Sequence, residues 1–289
     1  MKAPESPLAV RILTHNIRFA NTSPGPSEKP WLDRCPGLLS ELKYHTRYLP
    51  TAFICLQEVL HEQLQDLLGG LNVADEEWAS IGVGRDDGKN AGEYAPILYR
   101  PSVWKLEHFK TFWLSETPDR PSKGWDASST RLVTLGVFQH NETRSRVVAM
   151  NTHLDDQGVV ARQEAAKLII EEANSWTGYQ RWPASLPVFL AGDLNSTEQE
   201  DAYCILNSEN SPLQDTRELS NSQYGYEYTW TGFDGKGGKE GLKRIDFIFC
   251  GHRKANWWSI DGHSVIGNSF EDGVFVSDHR AVVADLRLH

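Results

Sequence analysis

Short apolar, β-branched runs recur along the chain. They predict strands at 9–14 (AVRILT), 51–56 (TAFICL), 95–99 (APILY), 132–138 (LVTLGVF), 146–151 (RVVAMN), 187–191 (PVFLA), 245–250 (IDFIFC) and 281–286 (AVVADL). Helical spacing lies between some of them. Segment 59–70 (VLHEQLQDLLGG) has apolar residues at 60, 64, 67 and 68 and closes on Gly69. Segments 36–49 (PGLLSELKYHTRYL) and 158–173 (GVVARQEAAKLIIEEA) follow the same period. Stretches 21–30 (NTSPGPSEKP) and 233–241 (FDGKGGKEG) are rich in Gly, Pro and Lys and read as loops. No internal repeat and no linker composition divides the chain, so one domain over 1–289, with a core of about 10–287, is expected. Strands and helices mixed in this way predict an α/β protein, a sheet core with helices outside.

Composition narrows the class. Lys plus Arg number 29 and Asp plus Glu 39, a formal charge of −10. Such a balance disfavours a protein that coats nucleic acid or an anionic membrane nonspecifically, but it leaves room for an enzyme that meets phosphate through a cation. No apolar run is long enough to span a membrane, so no membrane span is expected. The start, Met1-Lys-Ala-Pro-Glu-Ser, lacks the apolar core of a secretory signal, which points to a cytoplasmic or other intracellular protein. The four cysteines, Cys35, Cys55, Cys204 and Cys250, are too few for a disulfide scaffold, and none sits in a CxxC pair. Cys55 and Cys250 lie in apolar runs and suit buried free thiols.

The polar residues that punctuate the strands carry the chemistry. His15-Asn16 follows the first run, Gln57-Glu58 the second, and Asn151-Thr152-His153 closes 146–151. Gly192-Asp193-Leu194-Asn195 follows 187–191, Asp246 stands near the start of 245–250, and Ser277-Asp278-His279 precedes 281–286. Each alone is commonplace: Asp and Asn favour turns, and a single histidine is more often structural. The ordered set of six is not, because strand ends let a rigid scaffold aim polar groups at one cleft. Oxygen donors without cysteine select a hard cation, Mg²⁺ or Mn²⁺. Glu58 is the first candidate ligand, with Asn16 and Asp278 beside it and Asp193 and Asn195 as further candidates nearby. Asp193, held by Asn195, suits a general base for an attacking water. His153 or His279 can face a phosphoryl oxygen, and Asp246 paired with His279 would set its tautomer.

The set LTHNIR, LQE, NTH, GDLN, RIDFIF and SDHR closely resembles the endonuclease/exonuclease/phosphatase superfamily, which includes deoxyribonuclease I, inositol polyphosphate 5-phosphatases and deadenylases. The match runs from about residue 10 to 287. The resemblance implies a four-layer α/β/β/α sandwich, two packed mixed β-sheets flanked by helices, and a divalent-metal phosphoesterase. By motif, Asn16, Glu58 and Asp278 would be metal-site residues. His153, Asp193, Asn195, Asp246 and His279 would be catalytic. The segments 82–100 and 111–131 resemble a microbial subgroup in which Glu93 would stand near the metal and Arg131 and Arg162 would support the cleft. That subgroup commonly carries a second His where this chain has Asp156, and an aromatic-His-Gly-Phe loop where it has Trp230-Thr231-Gly232-Phe233. Both departures fall on expected substrate-facing loops, and Trp230 is taken as a substrate contact.

Further residues are weighed for the same cleft. Arg85 and Lys89 form either a charged turn or a phosphate-facing loop. Trp113, Trp125 and Trp230 are either core or stacking platforms. Lys236, Lys239, Lys243 and Arg244 form a basic run close to the chemistry that could steer an anion. Asn21, Asn141 and Asn195 match the glycosylation pattern, and a glycan on Asn195 would block the site, which favours a non-secreted protein. The expected activity is Mg²⁺- or Mn²⁺-dependent hydrolysis of a phosphate ester. A phosphodiesterase or nuclease comes first, a phosphomonoesterase on a sugar, inositol or lipid headgroup second, and a non-catalytic binding module on the same fold third. The expected partner is the phosphate-ester substrate, nucleic acid included. No protein partner is evident, and a monomer is expected.

Overall fold

The computed structural model describes residues 6–73, 77–176 and 185–289. The chain begins β1 (Leu8–Asn16), α1 (Trp31–Thr46), β2 (Phe53–Gln57), α2 (His61–Leu71), β3 (Ala79–Ile81), β4 (Ile97–Tyr99) and β5 (Trp104–Trp113). It continues through β6 (Leu132–His140), β7 (Arg146–His153), α3 (Val159–Ser175), β8 (Val188–Asp193), α4 (Asp201–Leu206) and β9 (Leu213–Asp215). It ends with α5 (Thr216–Leu219), β10 (Gln223–Gly225), β11 (Asp246–Gly251), β12 (Trp258–Val265) and β13 (Val282–Leu288). One sheet has seven strands in the order β10-β12-β13-β1-β2-β4-β3, the other six in the order β5-β6-β7-β8-β11-β9. Both are mixed: β1 and β2 run parallel, as do β7 and β8, while β8 and β11 run antiparallel.

Alternation along the strands explains the layers. Ile12, Phe53, Val147, Phe189 and Ile248 point into one buried cluster between the sheets. Their neighbours Leu13 and Ile54 point the other way, into a cluster with Leu38 and Leu42 of α1 and Leu64 and Leu67 of α2. Val148, Leu190, Phe247 and Phe249 point into a third cluster, with Ile169 of α3 and Leu206 of α4. Both faces of each sheet are therefore covered, which is why these strands read as nearly continuous apolar runs. The result is the expected four-layer α/β/β/α sandwich. Among the described residues no helix is long and apolar enough to cross a membrane. Cys55 and Cys250 are buried and free, as their apolar surroundings predict.

Some elements differ from their sequence patterns. α1 starts at Trp31, five residues before Pro36, which lies inside the helix. α2 runs through Gly69 and Gly70 to Leu71. β5 and β12 have no clean apolar run. Both are interrupted by polar residues and carry a register shift, after Leu106 in β5 and after Ile260 in β12. β5 is also an edge strand, where polar residues protect against edge-to-edge pairing.

A polar clasp joins the sheets at the end where the site lies. Gln57 Nε2 donates to Asn151 Oδ1 at 2.7 Å. Asn151 Nδ2 donates in turn to the carbonyls of Leu56 and Pro96, each at 2.8 Å. Both side chains are fully buried. Asn151→Ala should therefore destabilise the fold by about 2–4 kcal/mol, because buried groups lose their partners. Urea unfolding measures this, and a loss under about 0.5 kcal/mol would show that the clasp is dispensable. Elsewhere, His263 Nδ1 lies 3.1 Å from Thr216 Oγ1, whose own proton goes to Ile248 O. Its Nε2 is buried without a partner. Burial, with Arg244 and Arg217 nearby, holds the His263 pKa down at about 3. The unfolded chain thus binds this proton more readily. Stability should fall by up to about 1.4 kcal/mol for each pH unit between about 6.5 and 3, and His263→Leu should flatten that slope. Denaturant unfolding at pH 7 and pH 5 tests it, and equal slopes in both proteins would refute it.

Candidate active site

Strand register assembles the site. Parallel pairing sets Asn16 beside Gln57, so Asn16 and Glu58 emerge from neighbouring strand ends. Parallel pairing of β7 and β8 sets His153 beside Asp193, and antiparallel β11 places Asp246 on the other side of Asp193. Asp278 and His279 enter just before β13, next to β1. Gly192 permits the approach of β7: it has φ of 151°, and a Cβ there would lie 2.1 Å from Thr152 O. Arg18, Glu58 and Asn195 have positive φ without being glycine. Such strain is held only where surrounding contacts overdetermine it. For Arg18 those contacts come from Arg34 of α1. Its buried guanidinium donates to Ile17 O and Val276 O at 2.8 Å and to Arg18 O at 3.1 Å.

Asp193 is the hub. It is 1% exposed. Its Oδ1 accepts from Asn195 N at 2.8 Å, and its Oδ2 accepts from Asn16 Nδ2 at 2.9 Å. His153 Nε2 and His279 Nε2 lie 3.5 Å and 3.7 Å from Oδ2. Asn16 Nδ2 also donates to Glu58 Oε1 at 3.0 Å, so Asn16 ties the two carboxylates together. On the far side, His279 Nδ1 contacts Asp246 Oδ2 at 2.8 Å. Asn195 Nδ2 donates to Leu154 O and to His153 Nε2, both at 3.0 Å. A carbonyl can only accept, which orients the Asn195 amide and leaves the His153 proton on Nδ1.

Burial and nearby charge set the protonation states. Burial, together with Asp246, pushes the Asp193 carboxyl up to about 7, against the pull of His279 and the Asn16 hydrogen bond. Burial disfavours the His279 imidazolium, but Asp246, Asp193 and Asp278 outweigh it and raise its pKa to about 10. His153 is held well below its usual value by burial and by Arg131, Arg85 and His279, so it is neutral at pH 7. Glu93 rises to about 7 through burial and the Glu58 charge, despite Arg85 and Arg131. Asp278 is raised mainly by burial, with Glu58 adding to it against His279 and Arg18. Acids that repel one another in a buried cleft are the condition a bound cation relieves.

The cleft holds about 460 Å³. Glu58, Glu93, Arg131, His153, Arg162, Asp193, Asn195, Trp230, Asp278 and His279 line it, so the structure brings together nearly all the residues expected from sequence. Asn16 and Asp246 are fully buried and stand behind this wall. Among the described residues, Asp193, Asp246 and His279 form a group whose ligand atoms lie within 4.8 Å of one another. His279 Nδ1 is already engaged by Asp246 there, and Glu58 and Asp278 are further carboxylates that line the same cleft.

Other readings separate. Arg85 lines the cleft and donates to Glu93 Oε2 at 2.8 Å, while Lys89 does not line it. Trp113 is buried, with its indole N–H on Arg85 O at 2.8 Å, and is therefore core. The basic run splits. Lys243 lines the cleft, whereas Arg244 is buried against Glu198 and Asp215 at 2.6 Å and 2.7 Å. Arg18, Phe19, Gln157, Glu200 and Glu240 also line the cleft and were not expected from sequence. Arg18 follows the Asn16 motif by two residues, a signal that was available. Glu200 and Glu240 carried none, because loop geometry alone brings them to the rim.

Known proteins match the chain and its fold. A family model described as the endonuclease/exonuclease/phosphatase family matches residues 13–279. The fold is similar to an endonuclease/exonuclease/phosphatase from Bacteroides vulgatus, at 34% identity and TM-score 0.84, covering 97% of this chain and 99% of that one. It is also similar to a mannosyl-6-phosphatase from Bacteroides thetaiotaomicron, at 31% identity and TM-score 0.83, covering 96% and 99%. The human Nocturnin catalytic domain shares the fold at 18% identity and TM-score 0.71, covering 98% and 96%. Among curated proteins nothing matches the chain. With its strand-end motifs gathered in one cleft and the family model matching nearly end to end, the chain belongs to the endonuclease/exonuclease/phosphatase family.

Proposed function

We propose that this protein hydrolyses a phosphate monoester of a small polar molecule, a sugar phosphate being the first candidate, with Mg²⁺ or Mn²⁺. The observation that carries the chemistry is the buried Asp193 carboxylate, raised to about 7 and set between two histidines of different charge state. The choice of a monoester over the diester or nucleic acid first expected from sequence rests on the 31% identity to a mannosyl-6-phosphatase across almost the whole chain.

The oxygen donors of Glu58 and Asp278, with Asn16 beside them, fit a hard divalent ion and would hold it. When bound, that ion neutralises negative charge on the phosphate. The remaining roles belong to the protein. Asp193 accepts the proton of the attacking water at Oδ2, and its raised pKa matches a base that works near neutrality. The Asn195 backbone N–H and the Asn16 amide fix its orientation. The His279 imidazolium, held by Asp246, offers positive charge where the phosphoryl oxygens gain negative charge. Neutral His153, oriented by the Asn195 amide, lines the same cleft and positions the phosphate without adding charge.

Purified protein should release inorganic phosphate from hexose 6-phosphates with Mg²⁺ or Mn²⁺, lose activity in EDTA and regain it on re-addition of the ion. Bis(p-nitrophenyl) phosphate and single-stranded DNA should be poorer substrates. Faster cleavage of either would return the protein to the phosphodiesterase reading, and activity that survives exhaustive chelation would remove the ion from the mechanism. Asp193→Ala should keep the native circular dichroism spectrum and lower kcat by at least about a hundredfold, as loss of a general base does. Near-native turnover in that variant would refute the assignment.

A further inference from the structure

The charges of the cleft are balanced in an unusual way. Five Arg and Lys side chains and seven carboxylates line it among the described residues. Every one of those cations lies within 4.0 Å of a carboxylate that also lines the cleft. In two pairs the acid is largely covered: Arg18 meets Glu58 at 3.6 Å and Arg85 meets Glu93 at 2.8 Å. At the rim, Arg131 meets Asp156 at 3.0 Å, Arg162 meets Glu200 at 3.9 Å, and Lys243 meets Glu240.

The rim pairs share an orientation. Arg131 is 7% exposed and Asp156 46%; Arg162 is 9% exposed and Glu200 47%. Lys243 is 35% exposed and Glu240 66%. In each pair the acid is the more exposed member, and Arg131 and Arg162 are nearly covered. An incoming ligand therefore meets carboxylate oxygens. Carboxylates accept strong charge-assisted hydrogen bonds from hydroxyl groups, and they repel a second anion. Sites built for polyanions present the opposite arrangement, with cations free to meet phosphates.

On the reading that this cleft hydrolyses a small phosphate monoester, we infer that Asp156, Glu200 and Glu240 form a specificity rim that selects a leaving group that is neutral and rich in hydroxyls and rejects one that carries a second phosphate. The scissile phosphate passes to the floor, where His279 and any bound cation meet it. The rest of the substrate stays against the rim, where its hydroxyls donate to the carboxylates beside the bonds that Asp156 and Glu200 already accept from Ser128, Gln157 and Thr197, and an additional phosphate is repelled.

The test compares kcat/KM for glucose 6-phosphate and glucose 1,6-bisphosphate in the metal-loaded full chain, at low and high salt. The native protein should favour the monophosphate by at least about tenfold, and added salt should narrow the gap as the repulsion is screened. In the variant carrying Glu200→Gln and Glu240→Gln, the bisphosphate should gain and the monophosphate lose, because the amides no longer repel phosphate and accept weaker hydrogen bonds. These two side chains are exposed enough to be replaced without disturbing the core. Adding Asp156→Asn should extend the same trend, with Asp155 still 3.5 Å from Arg131 to hold it. Equal use of the two sugars by the native protein, or a ratio unchanged in the double variant, would overturn the specificity rim while leaving phosphatase activity standing. If neither sugar phosphate nor p-nitrophenyl phosphate is hydrolysed, the monoesterase reading falls and the rim inference falls with it.

Discussion

The hydrogen bond from Gln57 to Asn151 ties the seven-stranded sheet to the six-stranded one at a place where neither side chain can reach water. Apolar packing holds the sheets face to face but says little about how far one slides along the other. Directed polar contacts do fix that. Asn151 spans to the carbonyls of Leu56 and Pro96, and one step further out Asn16 reaches from β1 to Asp193 on β8. A shift between the sheets would leave several of these buried groups without partners, each at a cost of about 1–3 kcal/mol. Every distance within the site depends on that constraint, because the residues around Asp193 come from both sheets.

The site then exploits what the constraint makes possible. Asp193 and Asp246 face each other across adjacent antiparallel strands, an arrangement that would be costly were both ionised and unpaired. His279 resolves it by contacting Asp246 closely and Asp193 more distantly. The asymmetry leaves Asp246 in close contact with the imidazolium and Asp193 more weakly paired with it. His153, a few ångströms away, is neutral because burial disfavours its charged form and Arg131, Arg85 and His279 add to that. Two histidines on the same carboxylate thus differ in charge for reasons visible in their surroundings.

The strand-end residues were legible in the chain because strands buried on both faces read as apolar runs, and any polar residue that ends such a run stands out. Asn16, Glu58, His153, Asp193, Asp246 and His279 all announced themselves in this way. The same signal also marked Asn151, which faces between the sheets as a clasp. Period-two alternation tells which face a residue takes, but it does not tell what stands opposite. Trp113 shows the same limit: its size suited a stacking platform, and only the fold shows it packed in the core. The basic run before Asp246 reads as one patch along the chain, yet Lys243 turns to the cleft and Arg244 to a buried pair with Asp215.

What the sequence determined by itself is local and periodic: the apolar strands, the amphipathic helices, and the oxygen- and imidazole-bearing residues at their ends. These follow from side-chain volume, hydrophobicity and spacing, which neighbours along the chain suffice to express. Tertiary structure decided the rest, because charge pairing and burial depend on groups far apart in sequence. It set the bounds of β5 and β12, the reach of Arg34 from α1 to the loop after β1, and the pairing of Arg18, Arg131 and Arg162 with acids from other parts of the chain. It also decided that Asp193 carries a raised pKa and His153 a lowered one. Those values arise from the distances between strands that only the folded sheets bring together.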